Sequence, residues 1–118
     1  PGKYRGGSGL RKDIEVLADK VTLNLLGDRH KFPPYGIEGG GNGKLAETWL
    51  NPEGNSEVLN SKERREIKRG DVVSVRLAGA GGFGPVEERD KLAIERDILE
   101  GFVTPEVARQ VYGWQPKA

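Results

Sequence analysis

The sequence predicts an α+β fold that is mainly β: an antiparallel sheet, or a small β-sandwich or barrel, followed by two short C-terminal helices. Three observations carry this. Apolar residues alternate with polar ones in several short runs before residue 78, the period of a half-buried strand. Glycine, proline and asparagine clusters separate those runs. After residue 90 the apolar spacing changes to three and four, with helix start and stop residues in place.

Residues 11–17 alternate, with Ile14 and Val16 on one side and Asp13 and Glu15 on the other, and are expected as a half-buried strand. After the break at 18–20, Val21, Leu23 and Leu25 share a face of a second strand. The short connection suggests that these two strands form an antiparallel hairpin. The stretch GDRHKFPPYG at 27–36 interrupts the pattern, since two consecutive prolines remove ladder donors and hold the preceding backbone extended. A glycine-rich loop at 39–43 follows. Residues 45–50 read as a strand and 51–55 as a turn. Val58–Leu59 and Arg65–Lys68 read as short strands, 68–71 as a tight turn, and 72–77 as a strand with Val73, Val75 and Leu77 on one face.

In the helical tail, Asp90 is placed to cap a helix bearing Leu92, Ile94, Ile98 and Leu99, with Gly101 beyond its end. A second helix has Thr104 as cap, Pro105 at its first position, Glu106 near the positive end and Gly113 closing it. It is only about two turns long, so it needs packing to persist. The organisation expected is one domain over 1–118, with a β-rich part at 1–78, a glycine-rich connection at 79–89 and a helical tail at 90–113.

Composition narrows the function classes. The chain has 118 residues, 35% hydrophobic and 31% charged, which allows one domain with a thin core. It has no cysteine and one histidine, so neither a thiolate site nor a multi-histidine metal site can form. No run approaches the about 20 apolar residues of a membrane span, and no leader pattern is visible, so a soluble, cytoplasmic chain is expected. The net charge of +1 does not point to nucleic acid. The densest basic run, KERREIKR at 62–69, is diluted by two glutamates and carries no aromatic for base stacking, and is expected as a solvated turn region. The chain begins at Pro1 and contains no methionine, and reads as a piece of a longer protein.

GAGGFG at 79–84 matches the letters of a dinucleotide-binding loop after a strand-like run. That loop requires a long helix, a second parallel strand and an acidic residue about 20 positions on. Two short helices occupy that space instead. The glycines are better explained by close backbone approach or positive φ where a sheet edge hands over to the helices, with Phe83 as the segment's lone anchor. Asp28 and His30, two apart, could meet a metal, but no third ligand is in view and a surface histidine is the favoured reading. Arg5 and Arg29 lie in glycine-rich loops, where a guanidinium and backbone N–H groups can hold an anion.

Several segments, taken in order, resemble one family. They are KYRGGSG at 3–9 with Arg11, GDRHKFPPYG at 27–36 with Gly39 and Gly40, KRGDVV at 68–73 leading into GAGGFGP at 79–85, ERD at 88–90, and ARQVYG at 108–113. This set is similar to the C-terminal end of the hydantoinase B/oxoprolinase family: B-type subunits or domains of ATP-dependent hydantoinases, 5-oxoprolinases and acetone or acetophenone carboxylases. The resemblance implies a C-terminal structural or assembly domain of an ATP-dependent cyclic-amide hydrolase, inactive alone. The alternatives are a non-catalytic interaction module or the equivalent domain of a carboxylase. It implies an A-type ATPase subunit and the rest of the B-type chain as partners, with a homo-oligomer also allowed. No nucleic acid or membrane partner is expected. It implies no cofactor or metal on this piece, while the parent enzyme uses ATP with magnesium, and a further divalent metal is allowed. His30 stands where a basic residue is usual, which argues against it as a metal ligand, and Ser8 where an apolar one is usual. No residue is assigned as catalytic. Arg5, Gly6, Gly7 and Arg29 are the candidates to contact an anionic intermediate, the alternative for the YRGG stretch being a tight structural crossing.

Overall fold

A computed structural model describes residues 1–117. It is mainly antiparallel sheet with two short C-terminal helices, as the sequence predicts, and the sheet does not close into a barrel. The chain divides into two compact units, one of residues 9–34 and 44–79, the other of residues 1–8, 35–43 and 80 onward.

The first unit holds the six strands of the described residues: β1 (Arg11–Glu15), β2 (Lys20–Leu26), β3 (Glu47–Leu50), β4 (Glu57–Leu59), β5 (Lys62–Lys68) and β6 (Val72–Arg76). Four form an antiparallel sheet in the order β1-β6-β3-β4, and β2 pairs antiparallel with β5. The expected β1–β2 hairpin does not form. Instead Val16 donates its N–H to Asp71 O at 2.8 Å and accepts from Gly70 N at 2.9 Å. The chain bends there, against the turn joining β5 to β6. It therefore leaves the ladder with β6 and enters the ladder with β5. A three-residue break permits either a hairpin or a strand that bends from one sheet into another.

Val16, Leu50, Leu59, Ile67 and Val73 form the core, with Leu23, Leu25 and Val75 against it. β1 is exposed along its length rather than half-buried, and Val16, one residue beyond it, is the buried one. The basic run is not a turn region. Residues 62–68 form β5, whose Ile67 enters the core while several charges on and beside it pair: Arg65 with Glu57 and Glu63, Glu66 with Lys20 of β2, and Arg69 beyond the strand with Asp19. Alternation is present there, but charge at the inward positions Glu63 and Arg65 hides it.

The second unit is built on backbone contact. Tyr4 and Phe83 exchange both N–H···O bonds, at 2.9 and 3.0 Å, and Ile37 brackets Phe83 from the other side through Gly82 and Gly84. A Cβ on Gly81 would fall on the Tyr35 carbonyl, and one on Gly82 on the Pro1 carbonyl; Gly84 has φ 76°. The fingerprint glycines thus permit three segments to cross at backbone distance. A 3-10 turn, Val86–Glu88, leads to α1 (Lys91–Leu99) and α2 (Pro105–Tyr112). The Asp90 carboxylate accepts from Ala93 N, and the Thr104 hydroxyl from Val107 N. Gly101 and Gly113 take left-handed φ beyond the two helices. Leu92 and Leu99, two of the apolar residues that mark α1 in the sequence, are exposed, and its buried residues are Ile94 and Asp97.

Candidate functional site

Arg5, Gly6 and Gly7 fall in the second unit, in the segment that runs along residues 80–84. Gly6 lies so close to Ala80 and Gly81 that a Cβ would overlap their carbonyl oxygens, whereas Gly7 has only the Ala80 Cβ nearby, at 3.9 Å. The crossing turns Arg5 toward α1. Its Nε donates to Asp97 Oδ2 at 3.2 Å, and its Nη1 donates to Gly6 O at 3.2 Å and Ser8 Oγ at 3.4 Å. Its guanidinium lies 4.5 Å over the Phe102 ring, within cation–π range.

The same Asp97 oxygen accepts from Arg89 Nη2 at 2.6 Å, and Arg89 Nη1 donates to Lys3 O at 3.2 Å. Arg89 Nε is buried without a partner. Two guanidiniums therefore share one buried carboxylate, leaving one net positive charge in the cluster. Burial pushes the Tyr112 hydroxyl above its ordinary range, with the Arg89 charge opposing and Asp97 adding to the shift. The sequence pattern missed Arg89 and Asp97. Asp97 sits one turn from Ile94 on α1, and a carboxylate on the inward side of a helix was the available signal.

Arg29 falls in the other unit, in the loop after β2. Its backbone is left-handed, φ 62°, and its carbonyl accepts from Ala46 N at 2.8 Å. Gly27 N donates to Ser61 O at 2.7 Å, and Lys62 Nζ donates to Gly27 O at 2.6 Å and Asp28 Oδ1 at 3.3 Å. These bonds hold the loop around an open pocket of about 390 Å³, lined by residues 27–32, Ser61 and Lys62. Among the described residues neither Arg29 nor Lys31 has an ion pair, so the pocket is cationic overall.

His30 is partly buried at the pocket wall: its ring packs on Gly27, Nδ1 lies 2.9 Å from Asp28 O, and Nε2 is buried without a partner. The Asp28 carboxylate is exposed and lies 3.3 Å from Lys62 Nζ. No group of three or more potential ligands to a metal occurs among the described residues. No helix of the described residues is long and apolar enough to cross a membrane.

Comparison with known proteins bears on this arrangement. The fold superposes on the crystal structure of ATP-dependent caprolactamase from Pseudomonas jessenii with a TM-score of 0.81 and 25% identity, over 99% of this chain and 21% of that one. The class is thus an α+β fold that also occurs within a much longer enzyme chain. Residues 1–86 match the hydantoinase B/oxoprolinase family, and the chain belongs to that family. It is 32% identical over 111 residues to an uncharacterised protein of Methanocaldococcus jannaschii, covering 94% of this chain and 20% of that protein. It is 29% identical over 116 residues to the B-type subunit of a putative D-/L-hydantoinase from a Pseudomonas species, covering 96% and 19%. The chain thus spans about a fifth of the length of these relatives.

Proposed function

We propose that this chain is the C-terminal structural and assembly domain of a B-type subunit in an ATP-dependent cyclic-amide hydrolase, a ring-opening enzyme for hydantoin, 5-oxoproline or a related lactam, and that it is inactive alone. The observation that carries this reading is the match of nearly the whole chain to about a fifth of a hydantoinase B-type chain and of a caprolactamase chain. On this reading ATP and magnesium are handled by an A-type partner subunit, and the remaining B-type chain completes the active site. Within the domain, Arg29 is the residue assigned to an anionic carboxylate or phosphate, because its guanidinium is exposed in a cationic pocket. Arg5 is a weaker candidate for direct contact, since Asp97 already holds its Nε; Gly6 shapes the crossing that aims it, and Gly7 beside it remains a candidate for contact through its backbone.

The test has two arms. The 118-residue chain is assayed with ATP for ring opening of hydantoin, 5-oxoproline and caprolactam, and turnover by the chain alone overturns the reading. The A-type and B-type subunits are then co-purified with and without this segment, and an intact complex without it removes the assembly role. ATP- and bicarbonate-dependent carboxylation of a ketone by the whole enzyme assigns the equivalent domain of a carboxylase instead.

A further inference from the structure

The three-segment crossing has two unlike sides. Residues that bridge across adjacent extended segments project their side chains on the same side. Tyr4, Phe83 and Ile37 are such a set, and the Tyr4 and Phe83 rings lie 6.2 Å apart. The neighbouring residues Gly82 and Gly84 leave the backbone bare between them, and Gly82 is approached by Pro1 and Gly40 at backbone distance. One side is therefore filled by main chain at Gly82 and by the Lys3 side chain at Gly84. The other presents three large apolar side chains that remain 62%, 56% and 47% exposed for Tyr4, Ile37 and Phe83. A layer with one apolar face is stable when a second layer covers it, and clustered exposed apolar groups mark such a contact.

We infer that in the complete enzyme this face is covered by the remainder of the same B-type polypeptide. The inference rests on the proposed function and names the partner of one surface within it. The occupant follows from length. The fold is retained at a TM-score of 0.81 inside a single chain about five times as long, so nearly four-fifths of that polypeptide is available to cover it without a second molecule. The surface also suits a permanent contact: it is aromatic and aliphatic, and its polar groups, the Tyr4 hydroxyl and the Lys3 ammonium that lies 6.0 Å from the Tyr4 ring and pairs with Glu88, can sit at the edge of a buried patch.

Hydroxyl-radical footprinting with mass-spectrometric readout tests this on the 118-residue chain and on the full-length B-type subunit without its A-type partner. The expected result is labelling of Tyr4, Ile37 and Phe83 in the 118-residue chain and about tenfold less in the full-length subunit, as covering a half-exposed side chain removes most of its contact with water. Equal labelling in the two overturns the inference. So does protection that appears only when the A-type subunit is added, or protection in the 118-residue chain that grows with its concentration, which assigns the face to a second copy. The co-purification test of the assembly role is separate. Loss of the complex with unprotected side chains sinks this inference alone, and an intact complex with protected side chains sinks the assembly reading alone.

Discussion

Arg89 donates to Asp97 at 2.6 Å with both side chains more than nine-tenths buried, and Arg5, only partly buried, reaches the same carboxylate oxygen at 3.2 Å. One carboxylate on α1 therefore fixes the 3-10 turn and the chain's first residues to the helix. Removing one partner of a buried ion pair leaves an uncompensated charge and costs about 3–5 kcal/mol. Asp97→Ala should fall in that range, since it strands the Arg89 guanidinium. Arg5→Ala should cost far less, because Arg89 still neutralises Asp97 and Arg5 retains contact with water. Urea unfolding midpoints of the two variants check the ordering; equal losses would mean that the cluster acts through packing rather than charge.

The glycines at 6 and 7 are adjacent in sequence and opposite in tolerance. Gly6→Ala drives a methyl onto the Ala80 and Gly81 carbonyls, while Gly7→Ala meets nothing closer than 3.9 Å. Forcing a methyl group into a packed contact costs about 1–3 kcal/mol, and more where backbone must shift. Gly6→Ala should lower the thermal midpoint by several degrees, and Gly7→Ala should leave it near wild type. A comparable loss at Gly7 would show that this segment needs glycine for chain flexibility and not for close approach.

How much of this was legible follows from range. The two helix caps, Asp90 and Thr104, and the closing glycines were readable because a cap is decided within four residues. The ladder partners of β1 and β2 were not, because a three-residue break fits a hairpin and a bend equally, and the hydrogen bonds that choose between them come from residues 70 and 71. Arg5 and Asp97 are 92 residues apart in sequence, so Arg5 could be noticed as an anion candidate while its anion, inside the chain itself, could not. Arg29 was legible as a loop arginine; its left-handed backbone was not, because nothing in the sequence marks a non-glycine residue for that conformation.

That conformation makes Arg29 testable apart from stability. Left-handed backbone costs a residue with a Cβ roughly 1–2 kcal/mol, which glycine avoids, while glycine loses about 0.5–1 kcal/mol more in folding entropy. Arg29→Gly should therefore leave the unfolding midpoint of the chain unchanged or slightly raised. If Arg29 holds an anionic group, the same substitution in the assembled enzyme should raise KM or lower kcat at least tenfold, the loss of about one charge-assisted hydrogen bond. Arg29→Lys should recover part of that loss. Unchanged kinetics would return Arg29 to a plain surface residue.

The turn joining β5 to β6 gives the chain a defined weakness in acid. Asp71 accepts from the Lys68 backbone N–H at 2.9 Å and the Asn51 amide at 3.0 Å; Asn51, at φ 50°, accepts in turn from Val72 N at 2.8 Å. The Lys68 N–H first, then the Asn51 amide, hold the Asp71 carboxyl below its ordinary value, against a smaller opposing effect of burial. A carboxylate depressed in the folded state adds stability that is fully present above its unfolded value, about 3.9, and is lost as pH falls through the lower folded value. Asp71→Asn removes the charge and sets an amide N–H₂ against either the Asn51 amide or the Lys68 N–H. Its urea midpoint should lie below wild type by a constant amount at neutral pH, and the gap should narrow below about pH 4. Asp13, held low by Arg11, and Glu57, held low by Arg65, titrate in both proteins and cancel in the difference. A gap that stays constant down to pH 2 would show that the turn depends on the shape of the Asp71 side chain and not on its charge.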